Sequence, residues 1–206
     1  MIRDPKDLQR YTASERANHW VVGISFILLA LSGLAFFHPA FFPLTQLFGG
    51  GVWARILHPF IGVLMAVSFL AMFLRFRHLN VMTPADKEWL SRVRQMVDGD
   101  DHNMPEQGKY NGGQKALFWA LALCMLLMTV SGLLIWRAYF GFDITVVRLG
   151  AVVHAAVGAV MIALIMVHIY AAIWVKGTIR AMWYGTVTRA WARQHHRGWY
   201  RQVTGK

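Results

Sequence analysis

Four long apolar stretches divide the chain: about 20–37, 56–74, 116–136 and 149–175. Each is about as long as a helix must be to cross the ~30 Å hydrocarbon core of a bilayer, and the last allows some tilt. Each is also too long for the core of a signal peptide. The first has no convincing small-residue cleavage site after it, so it reads as a retained span. The polar connections are unequal. Residues 38–52 and 138–147 are short. Residues 75–115 are long, with 86–96 reading as an amphipathic surface helix and 98–113 as loop. Residues 1–16 are a polar tail of mixed charge, and a basic, Trp-rich tail follows Val175. The pattern predicts an all-α membrane protein: one domain over 1–206, a four-helix transmembrane bundle.

Composition agrees. The hydrophobic share is 56% and charged residues are 15%, against roughly 25% charged in soluble domains. The charge is also one-sided. The N-terminal tail, the 75–115 connection and the C-terminal tail together hold eighteen Lys and Arg, and the other side has only Arg55, Arg137 and Arg148. Basic loops stay inside, so both termini and the long connection are expected in the cytoplasm. The net charge of +11 then reflects topology and contact with anionic lipid headgroups. No recognition motif points to nucleic acid. Cys124 is the only cysteine; it can form no intrachain disulfide or cysteine-ligated cluster, and it reads as core packing.

Histidine carries the candidate chemistry. His19, His58, His154 and His168 lie within spans, where an ionisable side chain is costly and marks function. Alternating span direction puts His58 and His154 near the outer face, and His19 and His168 near the inner. His154 and His168 are fourteen residues apart on one span, about 21 Å along a helix and within about 40° of the same face. Two imidazoles from different helices at one depth can ligate a haem iron from both sides. The expected sets are therefore His58 with His154, and His19 with His168. Zinc is disfavoured, because no Cys or carboxylate completes a site at those depths.

Glycine supports this reading. Gly23, Gly62 and Gly158 each follow one of these histidines by four, and Ala172 follows His168 in the same way. Residues i and i+4 share a helix face, so a missing side chain leaves room for a flat ring. The plainer alternative is interhelical hydrogen bonding with close helix packing. Pro59, directly after His58, predicts that the second span either kinks or begins there. A faint internal echo also appears: Trp20 precedes Ser32-Gly33-Leu34 as Trp119 precedes Ser131-Gly132-Leu133. His38, His78, His102, His195 and His196 read as surface residues.

Several blocks together resemble the cytochrome b (gamma) subunits of respiratory, membrane-bound formate dehydrogenases. They are Arg10-Tyr11-Thr12, Asn18-His19-Trp20, 55–60 around His58-Pro59, 109–115 (Lys-Tyr-Asn-Gly-Gly-Gln-Lys), Gly132 to Arg137, 174–179, and His195-His196 with Trp199-Tyr200-Arg201. The chain departs from that pattern at Ala138 and at Arg197-Gly198, where the family usually has Pro and Pro-Arg. The resemblance implies two b-type haems on the four histidines named. It also implies a quinone site, for menaquinone or ubiquinone, on Asn111, Gly113, Gln114 and His168. Amides at the inner headgroup level can hydrogen-bond a quinone carbonyl; the competing role for this block is a turn and helix cap, with Gly112-Gly113 making the turn. The implied partners are an iron–sulfur (beta) subunit with a membrane anchor, a molybdenum- or tungsten-containing catalytic (alpha) subunit, and a higher-order assembly of that heterotrimer. The implied location is a bacterial inner membrane. No formate chemistry is expected on this chain. A hydrogenase-type cytochrome b shares the histidine pattern, and a proton or ion transporter using membrane histidines is the alternative from another class.

Overall fold

A computed structural model of the chain describes residues 6–98, 104–137 and 139–205, so Arg3, His102, Ala138 and Lys206 lie outside the described residues. Four helices are long and apolar enough to span a membrane: α1 (Ala13–Phe37), α2 (Gly51–Phe76), α5 (Gly112–Ile135) and α6 (Ile144–Trp174). All four expected spans are present, and each helix starts a turn or more earlier than hydropathy suggests. Hydropathy sees the hydrocarbon-length portion, whereas backbone hydrogen bonding continues through polar residues into the headgroup region. α2 continues through Pro59, so the span does not begin there. Between α1 and α2 the expected loop is a 3₁₀ helix, Pro39–Phe48. The His38 side chain caps its start, and Gly49 ends it in the left-handed conformation, φ 86°.

The chain forms two compact units. The first comprises 17–74 and 121–167. Its core is Met65, Phe69, Cys124, Met125 and Met161, with Val22, Phe26, Leu29 and Val157 packed around it. Cys124 is therefore the packing residue the sequence suggested. The outward residues are apolar too: Leu64, Val67, Leu126 and Val152 are all more than half exposed. A water-soluble surface does not sustain an apolar band of this kind, and a lipid-facing one does.

The second unit comprises 1–16, 75–120 and 168–206. It is built from the three segments that hold the one-sided positive charge. Short elements connect them: β1 (Leu8–Gln9) pairs antiparallel with β2 (Thr186–Val187), and α3 (Pro84–Ser91), α4 (Val93–Val97), α7 (Ile179–Tyr184), α8 (Arg189–His195) and α9 (Arg197–Thr204) complete the set. Among the described residues the β pair is the one departure from an all-helical fold. Two short helices, α3 and α4, replace the single surface helix expected over 86–96. α3 starts with a capping box, in which the Thr83 N–H and hydroxyl both reach Asp86 Oδ2. Asp86 is 2% exposed and pairs with Lys115 Nζ at 2.7 Å. Burial alone would raise its carboxyl pKa, but the bonds from Lys115 and Thr83 hold it below its usual value.

The centre of this unit is Arg10, 4% exposed. Its guanidinium lies about 5 Å from the rings of Trp191 (4.9 Å) and Trp199 (5.0 Å), within cation–π range. It also donates to the Lys109 carbonyl and contacts His196 Nε2 at 3.3 Å. His196 Nδ1 lies 2.8 Å from the Gly108 carbonyl oxygen. A carbonyl only accepts, so Nδ1 carries the proton and Nε2 accepts from Arg10. Gly185, at φ 79°, presents its carbonyl to the N–H groups of both Arg10 and Tyr11. The reading of His196 as a surface residue is therefore wrong: it is 1% exposed. His38 and His78 are exposed as expected, and His195 is half-buried.

Burial, then the Arg10 charge, with a smaller push from His195, lowers the His196 pKa to about 3, against the pull of the Gly108 carbonyl. The folded state thus binds fewer protons than the unfolded state below the unfolded value near 6.5. Stability from this residue is complete above that pH and is lost as pH falls towards 3, by about 2 kcal/mol between pH 7 and pH 5. The expected result is a melting temperature that falls more between pH 7 and pH 5 in the native chain than in H196Q, read by tryptophan fluorescence in detergent. An equal fall in both proteins contradicts the assigned tautomer and charge state.

Candidate haem site

In the first unit the structure brings two of the predicted histidines together. His58 on α2 and His154 on α6 are half-buried, with ring centroids 6.2 Å apart and ring planes at 65°. Two imidazoles bound to one metal from opposite sides, each at roughly 2 Å, place their centroids about 6 Å apart. The spacing fits a shared iron.

Each imidazole is held by the helix that precedes its own. Ser32 Oγ of α1 lies 2.7 Å from His58 Nδ1, and Ser131 Oγ of α5 lies 2.9 Å from His154 Nδ1. A Cβ added to Gly33 would stand 3.6 Å from His58 Cε1, and one added to Gly132 would stand 3.4 Å from His154 Cε1. A Ser-Gly pair therefore covers the Nδ1–Cε1 edge of each ring, turning the Nε2 side away from that helix. This accounts for the internal echo: the repeated Ser-Gly-Leu is the same imidazole seat, built twice. The sequence held that signal, but a serine inside an apolar helix does not announce a partner.

The glycines four residues after the histidines behave differently. A Cβ at Gly23 or Gly62 would meet nothing within 4 Å, whereas one at Gly158 would lie 3.7 Å from the Met128 methyl. The first two face open space. Gly158 packs a neighbour instead. His19 belongs to the first unit and stands edge-on to Trp20, with centroids 5.8 Å apart. His168 belongs to the second unit. Both are half-buried.

The second unit also holds Asn111, Gly113 and Gln114. Asn111 Oδ1 accepts from the Gln114 N–H at 2.9 Å, and Gln114 Oε1 accepts from the Asn111 N–H at 3.1 Å. The two amides form a reciprocal cap on α5. Their carbonyl oxygens are used in the cap, and their NH₂ groups are the donors that remain. Gly112 and Gly113 begin α5 with ordinary negative φ, so of the alternative role for this block, a turn and helix cap, the cap is present and the glycine turn is not. They allow close packing: a Cβ on Gly113 would come within 2.8 Å of the Trp89 ring, and one on Gly112 would collide with the Asp86 carbonyl. Gln107, read only as loop, supports the same corner by accepting from the Gly112 N–H at 3.2 Å.

Residues 10–185 match the family described as prokaryotic cytochrome b561. The formate dehydrogenase cytochrome b556(fdo) subunit of Escherichia coli K12 is 48% identical over 175 residues, covering 84% of this chain and 82% of that one. The nitrate-inducible cytochrome b556(Fdn) subunit of the same bacterium is 44% identical over 170 residues, 82% of this chain and 78% of its own. The Haemophilus influenzae formate dehydrogenase cytochrome b556 subunit is 40% identical over 175 residues, 84% of this chain and 74% of that one. Four membrane-length helices, two imidazoles at the spacing of a shared iron and relatives of this identity lead to one assignment: the chain belongs to the prokaryotic cytochrome b561 family, as an electron-transferring cytochrome b subunit of formate dehydrogenase with b-type haem.

Proposed function

We propose that this chain binds two b-type haems and carries electrons across a bacterial inner membrane to quinone. The observation that carries the proposal is the His58–His154 pair, 6.2 Å between centroids, with each Nδ1 held by a serine. These two residues hold the outer haem. His19 and His168 hold the inner haem; the support here is their shared depth in the sequence and the resemblance to formate dehydrogenase cytochromes. Held by these histidines, the haems would supply one-electron transfer.

The chain's own residues do the rest. The apolar helices exclude water from the haems and set their potentials through ligation and burial. Asn111, Gly113, Gln114 and His168, all part of the second unit, form the quinone site, and the charged segments of that unit hold it at the membrane surface. The excess of Lys and Arg in those segments supports a cytoplasmic position for them and for both termini. Electrons then enter from a periplasmic-side iron–sulfur subunit served by a molybdenum or tungsten catalytic subunit, and quinone takes its protons from the cytoplasm. Each charge so moved stores about 2.3 kcal/mol per 100 mV.

A reduced-minus-oxidised spectrum of the complex should show two b haems. H58A and H154A should each lose the same one, and H19A and H168A the other. Loss of both haems from every variant, or a native complex without haem, contradicts the pairing. For quinone, the informative change is Asn111→Asp. It keeps the capping oxygen and removes the amide donor. Haem reoxidation by added quinone should slow at least about tenfold, the cost of one lost hydrogen bond of ~1.4 kcal/mol, with haem content unchanged. Native reoxidation rates in N111D mean that this residue only caps α5.

A further inference from the structure

We propose that Ser32 and Ser131 are positioning residues that fix the tautomer and ring orientation of His58 and His154, and thereby lower the potential of the haem these imidazoles hold. This rests on the haem reading above and adds two residues to it.

Both serines are buried, at 0% and 2% exposure. Ser32 Oγ donates to the Leu28 carbonyl at 2.8 Å. Ser131 Oγ donates to the Leu127 carbonyl at 2.6 Å. A hydroxyl has one hydrogen. Once that hydrogen is committed to the carbonyl one turn back, the oxygen can only accept from the imidazole. Nδ1 of each histidine is therefore the protonated nitrogen, and Nε2 keeps the lone pair that binds iron. The opposite arrangement, with serine donating to Nδ1, would put the ring hydrogen on Nε2 and block ligation.

The same device occurs twice, on α1 for α2 and on α5 for α6, with the glycine after each serine lying against ring Cε1. The serine hydrogen bond holds Nδ1 and so limits rotation of the ring; the glycine beside it leaves space in which even an added Cβ would stand only at van der Waals distance from Cε1. A hydrogen bond from Nδ1–H also pushes electron density onto the ring. Nε2 becomes a stronger donor, and ferric iron gains more from that than ferrous iron. The consequence is a lower midpoint potential at this haem than unanchored imidazoles would give.

The test is a redox titration of the assembled complex in membranes, followed by visible absorption, for S32A, S131A, the double variant, S32T and S131T. In each alanine variant the midpoint of one haem should rise and the other should stay fixed. The double variant should shift further. The threonine variants, which keep the hydroxyl, should return towards the native value. Weaker retention of that haem, by about 10- to 100-fold in affinity, in the alanine variants but not in the threonine variants also supports the proposal. Two bound haems with unchanged midpoints in the double variant would overturn it. So would threonine variants that shift as far as alanine ones, since packing alone would then be responsible. If one serine variant fails to assemble, the other carries the measurement. A native complex without haem removes the parent reading before any serine is changed.

Discussion

An imidazole buried among apolar helices has two nitrogens, and each needs a partner, because nothing in hydrocarbon will hydrogen-bond a stray polar atom. At His58 and His154 a serine on the preceding helix satisfies Nδ1. That leaves one nitrogen per ring, and the two rings are 6.2 Å apart. Much of the first unit follows from this need. Serine must sit one helix back at matching height, and the core of Met65, Phe69, Cys124, Met125 and Met161 must hold these helices in place. Methionine suits such a core, since its unbranched side chain fills the irregular gaps that aromatic neighbours leave.

The second unit solves a different problem. Three segments separated by membrane spans carry most of the positive charge, yet they fold around a buried cation. Arg10 is held by indole faces, a carbonyl and the neutral nitrogen of His196, and no carboxylate contacts it among the described bonds. Asp86 and Lys115 supply the paired version of the same economy. All three segments contribute to one compact unit, which agrees with the alternation of four spans. That unit also caps the start of α5, where the proposed quinone residues stand.

The spans and their histidines were legible because hydropathy and costly membrane polarity are strong one-dimensional signals. Helix ends were less so, since a helix outlasts the hydrocarbon. The surface reading of His196 failed for a physical reason. A basic, hydrophilic tail looks solvated, and long-range contacts bury the ring: Leu8–Gln9 pairs with Thr186–Val187, and the Gln107 and Gly108 carbonyls bond the tail at His196, Gly198 and Trp199. What Gly112 and Gly113 provide is hidden for a similar cause: it is space for Trp89 and Asp86, both more than twenty residues away. The Ser-Gly echo was visible but mute, because its meaning depends on which helix packs beside it.

An experimental density map of the assembled complex tests the central claim most directly. It should show a flat macrocycle between α2 and α6, with the iron bonded to Nε2 of His58 and of His154 and each Nδ1 still within hydrogen-bond reach of its serine. Side chains or lipid between those two rings, or an iron held by other residues, would contradict it.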